Sequence, residues 1–424
     1  MLPESYHYTI RILVVVLWQL FASGIYNGKS QEIPKDHPRL LGSLEYLQKL
    51  ATERADEFLR MKSVVLKSDE TFQHMISRAL VSAVENDAEL GKKAIAQAMK
   101  IVNGPIRVGH VGFGTDLALT ALIYDLCYPY WEEEERLKYH QYMNNTIDAN
   151  VNSETAVFHN GWYGYKNWGI GIACLATWHE NEQAPSYFHT LEKDYKERAA
   201  PALTLAGNGG GWGEGYYINY FSYEWLFFCE VAKNCGHPDY YEQAPHFYQN
   251  LAVAGMFESY PGLKEYNSHR PIPMGDGGGR IYGGDRDKAL SSRRILVNNF
   301  RNDLTHQVVH TFNERTPRSG TGINAYMDFL WHDTSVTRGN LNDFRLSHFS
   351  PGAGYVYARS SWDDDATYFF FKCSDRFTSH QHLDAGHFLI YKHEELLGDG
   401  GHYDSFGSFH DVNYHLRRSE EHTS

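Results

Sequence analysis

"GAGYVYARSSWDDDATYFFFKCS", Gly352 to Ser374, changes the rhythm of the chain. Two short runs rich in tyrosine, phenylalanine and valine are separated by a polar turn, which predicts consecutive strands. "GHFLIYKHEELLGDGG" (Gly386–Gly401) continues the pattern as a hairpin turning around Lys392 to Glu395. Upstream the period is different. "SLEYLQKLATERADEFLRM" opens at Ser43 with a capping serine and repeats apolar residues at three- and four-residue spacing. "TDLALTALIYDLCYPYW", "WGIGIACLATWHE" and "YFSYEWLFFCEVAKNCG" do the same, the last closing on Gly236. Helices thus run from about Pro38 to about Leu330, and strands follow a boundary between about 330 and 350. The expected architecture is an all-α region of paired helices followed by an antiparallel β-region. The closing "NYHLRRSEEHTS" is polar where a further strand would be expected, and its last seven residues resemble translated sequencing adapter, so the β-region reads as cut short.

The 424 residues suffice for one large domain or two to three average ones, and 42% are hydrophobic, as in ordinary globular proteins. A formal net charge of -13 argues against nucleic acid as partner. Thirty tyrosines and nine tryptophans fit either aromatic core packing or a cleft that stacks on sugar rings. Arg11 precedes "ILVVVLWQLFASG", an apolar run too short to span a bilayer that reads as a secretory signal peptide cleaved near Ala22 to Gly24. Residues 1–28 are therefore read as signal and leader, and the mature protein as periplasmic or secreted, without membrane insertion. Five scattered cysteines with no CxxC make a thiolate zinc site improbable, and buried free thiols are expected.

Four stretches hold residues suited to chemistry. "TSHQHLDAGHF" (Thr378–Phe388) places His380, His382 and Asp384 at alternate positions, which on a strand would share one face and suit zinc or proton transfer. Asp399, one hairpin later, is placed to reach His382. "HNGWYGYKNWGIGIACLATW" sets Asn167 and Trp168 at a helix start, where an asparagine is ordinarily a cap. "GGGWGEGYYINYFSYEW" carries Trp212 and Glu214 in a glycine loop, then Tyr217, Tyr220 and Tyr223 at a spacing that would align them on one helical face. "HRPIPMGDGGGRIYGGDR" holds Arg270, Arg280 and Arg286 in a long glycine-rich loop, where arginine forks suit carboxylates or sulfates.

In this order, these stretches resemble the heparinase II/III-like polysaccharide lyases and the related alginate lyases. "HPRLL" at His37, "NWGIGIACLA", "GGGWGEGYYINY", "GYVYARSSWDDDATYFFFKCS" and "SHQHLDAGHFLIY...LLGDGG" carry the resemblance from about residue 36 onward. It implies an incomplete (α/α) toroid over 29–335 followed by an antiparallel β-sheet or sandwich domain over 336–424. By position it implies Asn167 as the group neutralising the substrate carboxylate, Tyr220 as catalytic tyrosine with Tyr217 second, and His380 as catalytic histidine. Trp168, Trp212, Glu214, Arg270 and Arg280 would contact substrate. His382 and Asp399 would match two ligands of a structural Zn2+, whose third ligand has no counterpart here. No other cofactor is implied. The expected partner is an acidic polysaccharide, cleaved by β-elimination with loss of the C5 proton and departure of O4. Two other readings are a glycoside hydrolase using Glu214 and Asp276, and a non-catalytic carbohydrate-binding protein.

Overall fold

The structure is a computed structural model that describes residues 32–67, 74–110, 112–237, 239–262, 271–275, 283–316, 322 and 324–398. Helices fill the first three quarters. The series starts with α1 (Leu44–Glu53), α2 (Ala55–Lys67), α3 (Met75–Glu85), α4 (Ala88–Val102) and α5 (Phe113–Leu126). It continues with α6 (Glu133–Ala149), α7 (Trp168–Ala176), α8 (Ala184–Asp194), α9 (Ala200–Leu205) and α10 (Ser222–Asn234). The last four are α11 (Pro245–Phe257), α12 (Gly283–Asn299), α13 (Leu304–Glu314) and α14 (Ala325–Trp331).

Local chemistry sets many of these boundaries. Ser43 caps α1 by accepting from the Tyr46 N–H, and Asp87 caps α4 by accepting from Glu89 and Leu90. Asn86 ends α3 in the left-handed conformation, at φ 55°, and the two helices fold back on each other. Neighbouring helices pack in pairs, and α5 and α7, buried along nearly their whole surface, form the centre. This is an incomplete (α/α) toroid.

From Ser347 the chain forms a five-stranded antiparallel sheet in sequence order: β1 (Ser347–Ser350), β2 (Tyr355–Arg359), β3 (Tyr368–Lys372), β4 (Phe388–Lys392) and β5 (Glu394–Leu397). Alternation decides which face is covered. Tyr355, Tyr357, Tyr368 and Phe370 are buried, with Tyr357 opposite Phe370 in the register, whereas Phe349, Phe369 and Phe388 are exposed. The inner face docks on the end of α11, where Tyr368 donates to the Phe257 carbonyl at 2.8 Å and Tyr357 donates to Glu258 at 2.9 Å. The described residues of the 336–424 region form this one sheet, and the remainder of that region lies outside them.

The hairpin expectation and the strand expectation for the histidine stretch differ in outcome. β4 and β5 do pair, with His393 at φ 62° making the turn. The His380–Asp384 segment is not a strand: it belongs to a fifteen-residue excursion, 373–387, between β3 and β4.

The glycine loop before the tyrosines is the seam between helices and sheet. The Gly209 carbonyl accepts from Ser350 Oγ at 2.9 Å and from His348 Nε2 at 2.8 Å, and Tyr355 donates to the Trp212 carbonyl at 3.2 Å. All five cysteines are free, Cys373 exposed and the others buried. Among the described residues no helix is long and apolar enough to cross a membrane.

Candidate active site

The site forms where three segments meet: the Phe158–Asn160 approach to α7, the glycine loop with its tyrosine turn, and the β3–β4 loop. The tyrosine turn is a 3-10 helix, Gly215–Tyr220, that precedes α10. The break at Phe221 (φ -135°) separates the expected tyrosine stripe. Tyr217 stays at the site, Tyr223 goes into the core at 2% exposure, and the side chain of Tyr220 lies outside the described residues.

Backbone packing fixes the turn. Gly215 and Gly275 both have φ near +58° (58° and 57°), in the left-handed region that favours glycine. A Cβ on Gly215 would come within 2.6 Å of the Met274 carbonyl oxygen, and one on Gly275 within 2.7 Å of the His380 carbonyl oxygen. The two glycines therefore let the 271–275 segment wedge between the tyrosine turn and the histidine loop.

The histidine loop is braced from within. Gln381, 1% exposed, donates to the Asp375 carbonyl (2.8 Å) and Ser374 Oγ (3.1 Å), and accepts from the Phe377 N–H (3.0 Å). Asp384 pairs with buried Lys372 at the loop's base. Thr378 Oγ1 donates to the Phe158 carbonyl at 2.6 Å and ties the loop to the helical region. His380 itself sits at φ 58°, a strained conformation for a side chain of this size. His380 stacks at the site while His382 and Asp384 are buried in the loop beside Lys372, so the alternate-position reading fails: it assumed extended backbone.

His380 stacks on Tyr217, with ring centroids 3.9 Å apart and planes 9° from parallel. Its ring lies 5.9 Å from that of His159. A carboxylate oxygen of Glu214 and one ring nitrogen of each histidine lie within 4.8 Å of one another. Glu214 is fully buried beneath them. Its Oε2 accepts from the Asn160 N–H (2.7 Å) and Trp212 Nε1 (3.0 Å), and its Oε1 accepts from Ser379 Oγ (3.2 Å). Burial pushes its carboxyl up to about 7, with His380 and the donors pulling the other way. Burial likewise pushes His159 down to about 4, so its ring is neutral. The Gly161 N–H donates to His159 Nδ1 at 2.9 Å, which leaves the proton on Nε2, 3.6 Å from Glu214 Oε1. A cation between these three residues would need Nε2 bare and the proton on Nδ1, against the Gly161 N–H. The arrangement suits proton exchange better than metal binding. Outward from His159 the array continues through Glu154 to His110, whose side chain is half exposed.

The other expected residues fall elsewhere. Asn167 ends a π-helical turn, Gly161–Asn167, in helical conformation and its side chain makes no capping hydrogen bond. It lines a separate groove of about 500 Å³ with Asp148, Lys166, Tyr187 and Asp194, which none of His159, Glu214, Tyr217 or His380 lines. Trp168 packs in the core against Phe227. Trp212 and Glu214 back the site rather than lining it, because both are buried and bonded to each other. His382 is buried in the loop. A buried imidazole is a suitable zinc ligand, but its expected partner Asp399 lies outside the described residues, as do Arg270, Arg280 and Asp276. The residues that sequence reasoning missed are His159, Asn160 and Ser379. "HN" at 159–160 was visible; its meeting with a histidine 221 positions later was not.

Among solved structures, the heparan sulfate lyase HepC from Pedobacter heparinus matches with a TM-score of 0.51 at 15% identity, over 81% of this chain and 50% of that one. The chain has the heparinase-like polysaccharide lyase fold. A heparinase III structure also matches, with a TM-score of 0.47 at 16% identity, over 81% of this chain and 52% of that one. The chain thus spans about half the length of these two proteins. No family model and no curated protein matches the sequence.

Proposed function

We propose that the protein is a polysaccharide lyase that cleaves a uronate-containing polymer by β-elimination. The observation that carries the reading is the Tyr217–His380 stack over buried Glu214, on a fold shared with a heparan sulfate lyase. Elimination needs a donor for the C5 carboxylate, a base for the C5 proton and an acid for O4. In this reading His380 takes the C5 proton. Glu214, ionising near neutrality, supports the imidazolium that forms and positions the ring through the loop it bonds. A tyrosine of the Gly215–Tyr220 turn returns a proton to O4. The stack of Tyr217 on His380 supports Tyr217 in this role, and Tyr220 follows in the same turn. Asn160, rather than Asn167, supplies the carboxylate donor: it adjoins Glu214, and both polar atoms of its buried amide lack a hydrogen-bond partner among the described residues.

The hydrolase reading loses ground on Glu214, which would have to reach a glycosidic oxygen. It is fully buried, and both its oxygens are taken by protein donors. The test is ultraviolet absorbance during incubation with a panel of uronate polysaccharides, since elimination creates an absorbing unsaturated uronate and hydrolysis does not. New reducing ends without that absorbance would sink the proposal, and binding without turnover would favour a carbohydrate-binding protein. Extracellular or periplasmic action on an acidic polymer is part of the same proposal, as is a structural zinc ion held in part by His382.

A further inference from the structure

A second cavity, of about 80 Å³, lies beside the tyrosine turn. Ile218 and Asn219 of that turn form one wall, and Glu258, Arg286, Arg293 and Thr316 bring the polar groups. None of His159, Glu214, Tyr217 or His380 lines it. The volume holds several waters or one small oxyanion.

Its hydrogen bonding is unbalanced. Arg293 is buried, and its Nε donates to Asn313 Oδ1 at 2.7 Å. No carboxylate among the described residues forms an ion pair with it. Arg286 Nε is buried and has no hydrogen-bond partner among the described residues. Thr316 is 6% exposed, and its hydroxyl is also buried without a partner among the described residues. Against these stands one carboxyl, Glu258, which already accepts from the Tyr357 hydroxyl at 2.9 Å and which burial pushes up to about 7. Burial brings Arg293 down only to about 10, so its guanidinium stays charged at neutral pH. A buried guanidinium without an ion pair and buried donors without a partner are costly, and such groups converge where a ligand completes them. Guanidinium forks and a hydroxyl are the donors a tetrahedral oxyanion accepts from.

We propose that Arg286, Arg293 and Thr316 form a binding site for a small oxyanion of the sulfate or phosphate class, either as the free ion or as an ester carried on a sugar. The site shares the Gly215–Tyr220 turn with the candidate active site, so an esterified sugar is the occupant its position favours. The proposal does not rest on the lyase reading, because it is measured by binding and not by turnover.

The experiment is titration of the protein with sodium sulfate against sodium chloride at matched ionic strength, read by calorimetry and by the thermal midpoint. Sulfate should bind saturably and raise the midpoint where chloride does not. Arg286→Gln and Thr316→Val should each weaken sulfate by about tenfold or more, as loss of a charge-assisted or buried hydrogen bond does. These two carry the test, since Arg293→Gln empties a buried position and risks the fold. Glucose 6-sulfate separates the sources: binding at least as tight as sulfate assigns the site to a sugar ester, and sulfate binding alone assigns it to the free ion. Sulfate no better than chloride, or full affinity in both variants, would overturn the proposal.

Discussion

The Tyr217 ring lies face to face with the His380 imidazole, 3.9 Å between centroids, although 162 residues of chain separate them. The stack has two separable parts, the aromatic face and the phenolic hydroxyl. Tyr217→Phe keeps the face and removes the hydroxyl. If Tyr217 transfers the proton, the turnover number should fall about 10²- to 10⁴-fold with little change in KM. Tyr217→Leu should lose the same and also loosen the His380 loop. A Phe variant with near-normal turnover would move the acid role to Tyr220.

Asn160 and Asn167 sit at the two ends of one π-helical turn, a distortion often found at functional sites. They face different surroundings, Asn160 beside Glu214 and Asn167 in the groove with Asp194. Asn160→Ala is expected to reduce kcat/KM about 10²- to 10³-fold, the usual cost of one donor to developing negative charge. Asn167→Ala should stay within a few-fold of wild type. The reverse ranking, measured on one substrate, would restore Asn167 to the role its position in the motif implied.

These two asparagines show what was legible in the sequence. Periodicity separated helices from strands, because apolar spacing of three to four and of two reports burial on one face directly. Ser43 as a cap and the hairpin of β4 and β5 were readable from local chemistry alone. His380 and the tyrosine turn were readable as candidates because unusual residues clustered in short stretches. What could not be read was the conformation of the histidine loop. Its left-handed turn depends on Gln381 bonding within the loop, on Lys372 neutralising Asp384, and on Gly275 admitting the His380 carbonyl. These are tertiary contacts with no spacing signature. For the same reason Glu214 read as a cleft residue: a carboxylate after a glycine loop suggests exposure, and only the donors from Asn160, Trp212 and Ser379 explain its burial.

Glu214 makes a prediction for the pH dependence of the reaction. Its carboxyl ionises near 7, and the carboxylate form favours the imidazolium generated when His380 accepts a proton. The rate should therefore rise with pH through about 7. Glu214→Gln keeps the size and part of the hydrogen bonding but cannot ionise, so its profile should lose that inflection and its maximal rate should drop. An unchanged inflection in the Gln variant would assign the titration to another group.

Glu258 makes a separate prediction for stability, away from the candidate active site. Burial raises its carboxyl from the ordinary 4.5 to about 7. The folded state thus holds the proton more tightly than the unfolded chain does. The stabilisation is fully present below pH 4.5, declines as pH rises, and is gone above 7, an amount on the order of 3 kcal/mol. His348 acts in the opposite sense. Burial lowers it to about 4, so its contribution is lost as pH falls from 6.5 toward 4. The two overlap in a single stability curve, so the difference between wild type and Glu258→Gln isolates the carboxyl. Urea denaturation at pH 5 and pH 8 should show the wild type losing more stability than the variant over that interval. An equal loss in both proteins would mean that Glu258 titrates as an ordinary carboxylate and that the cavity beside it is well hydrated.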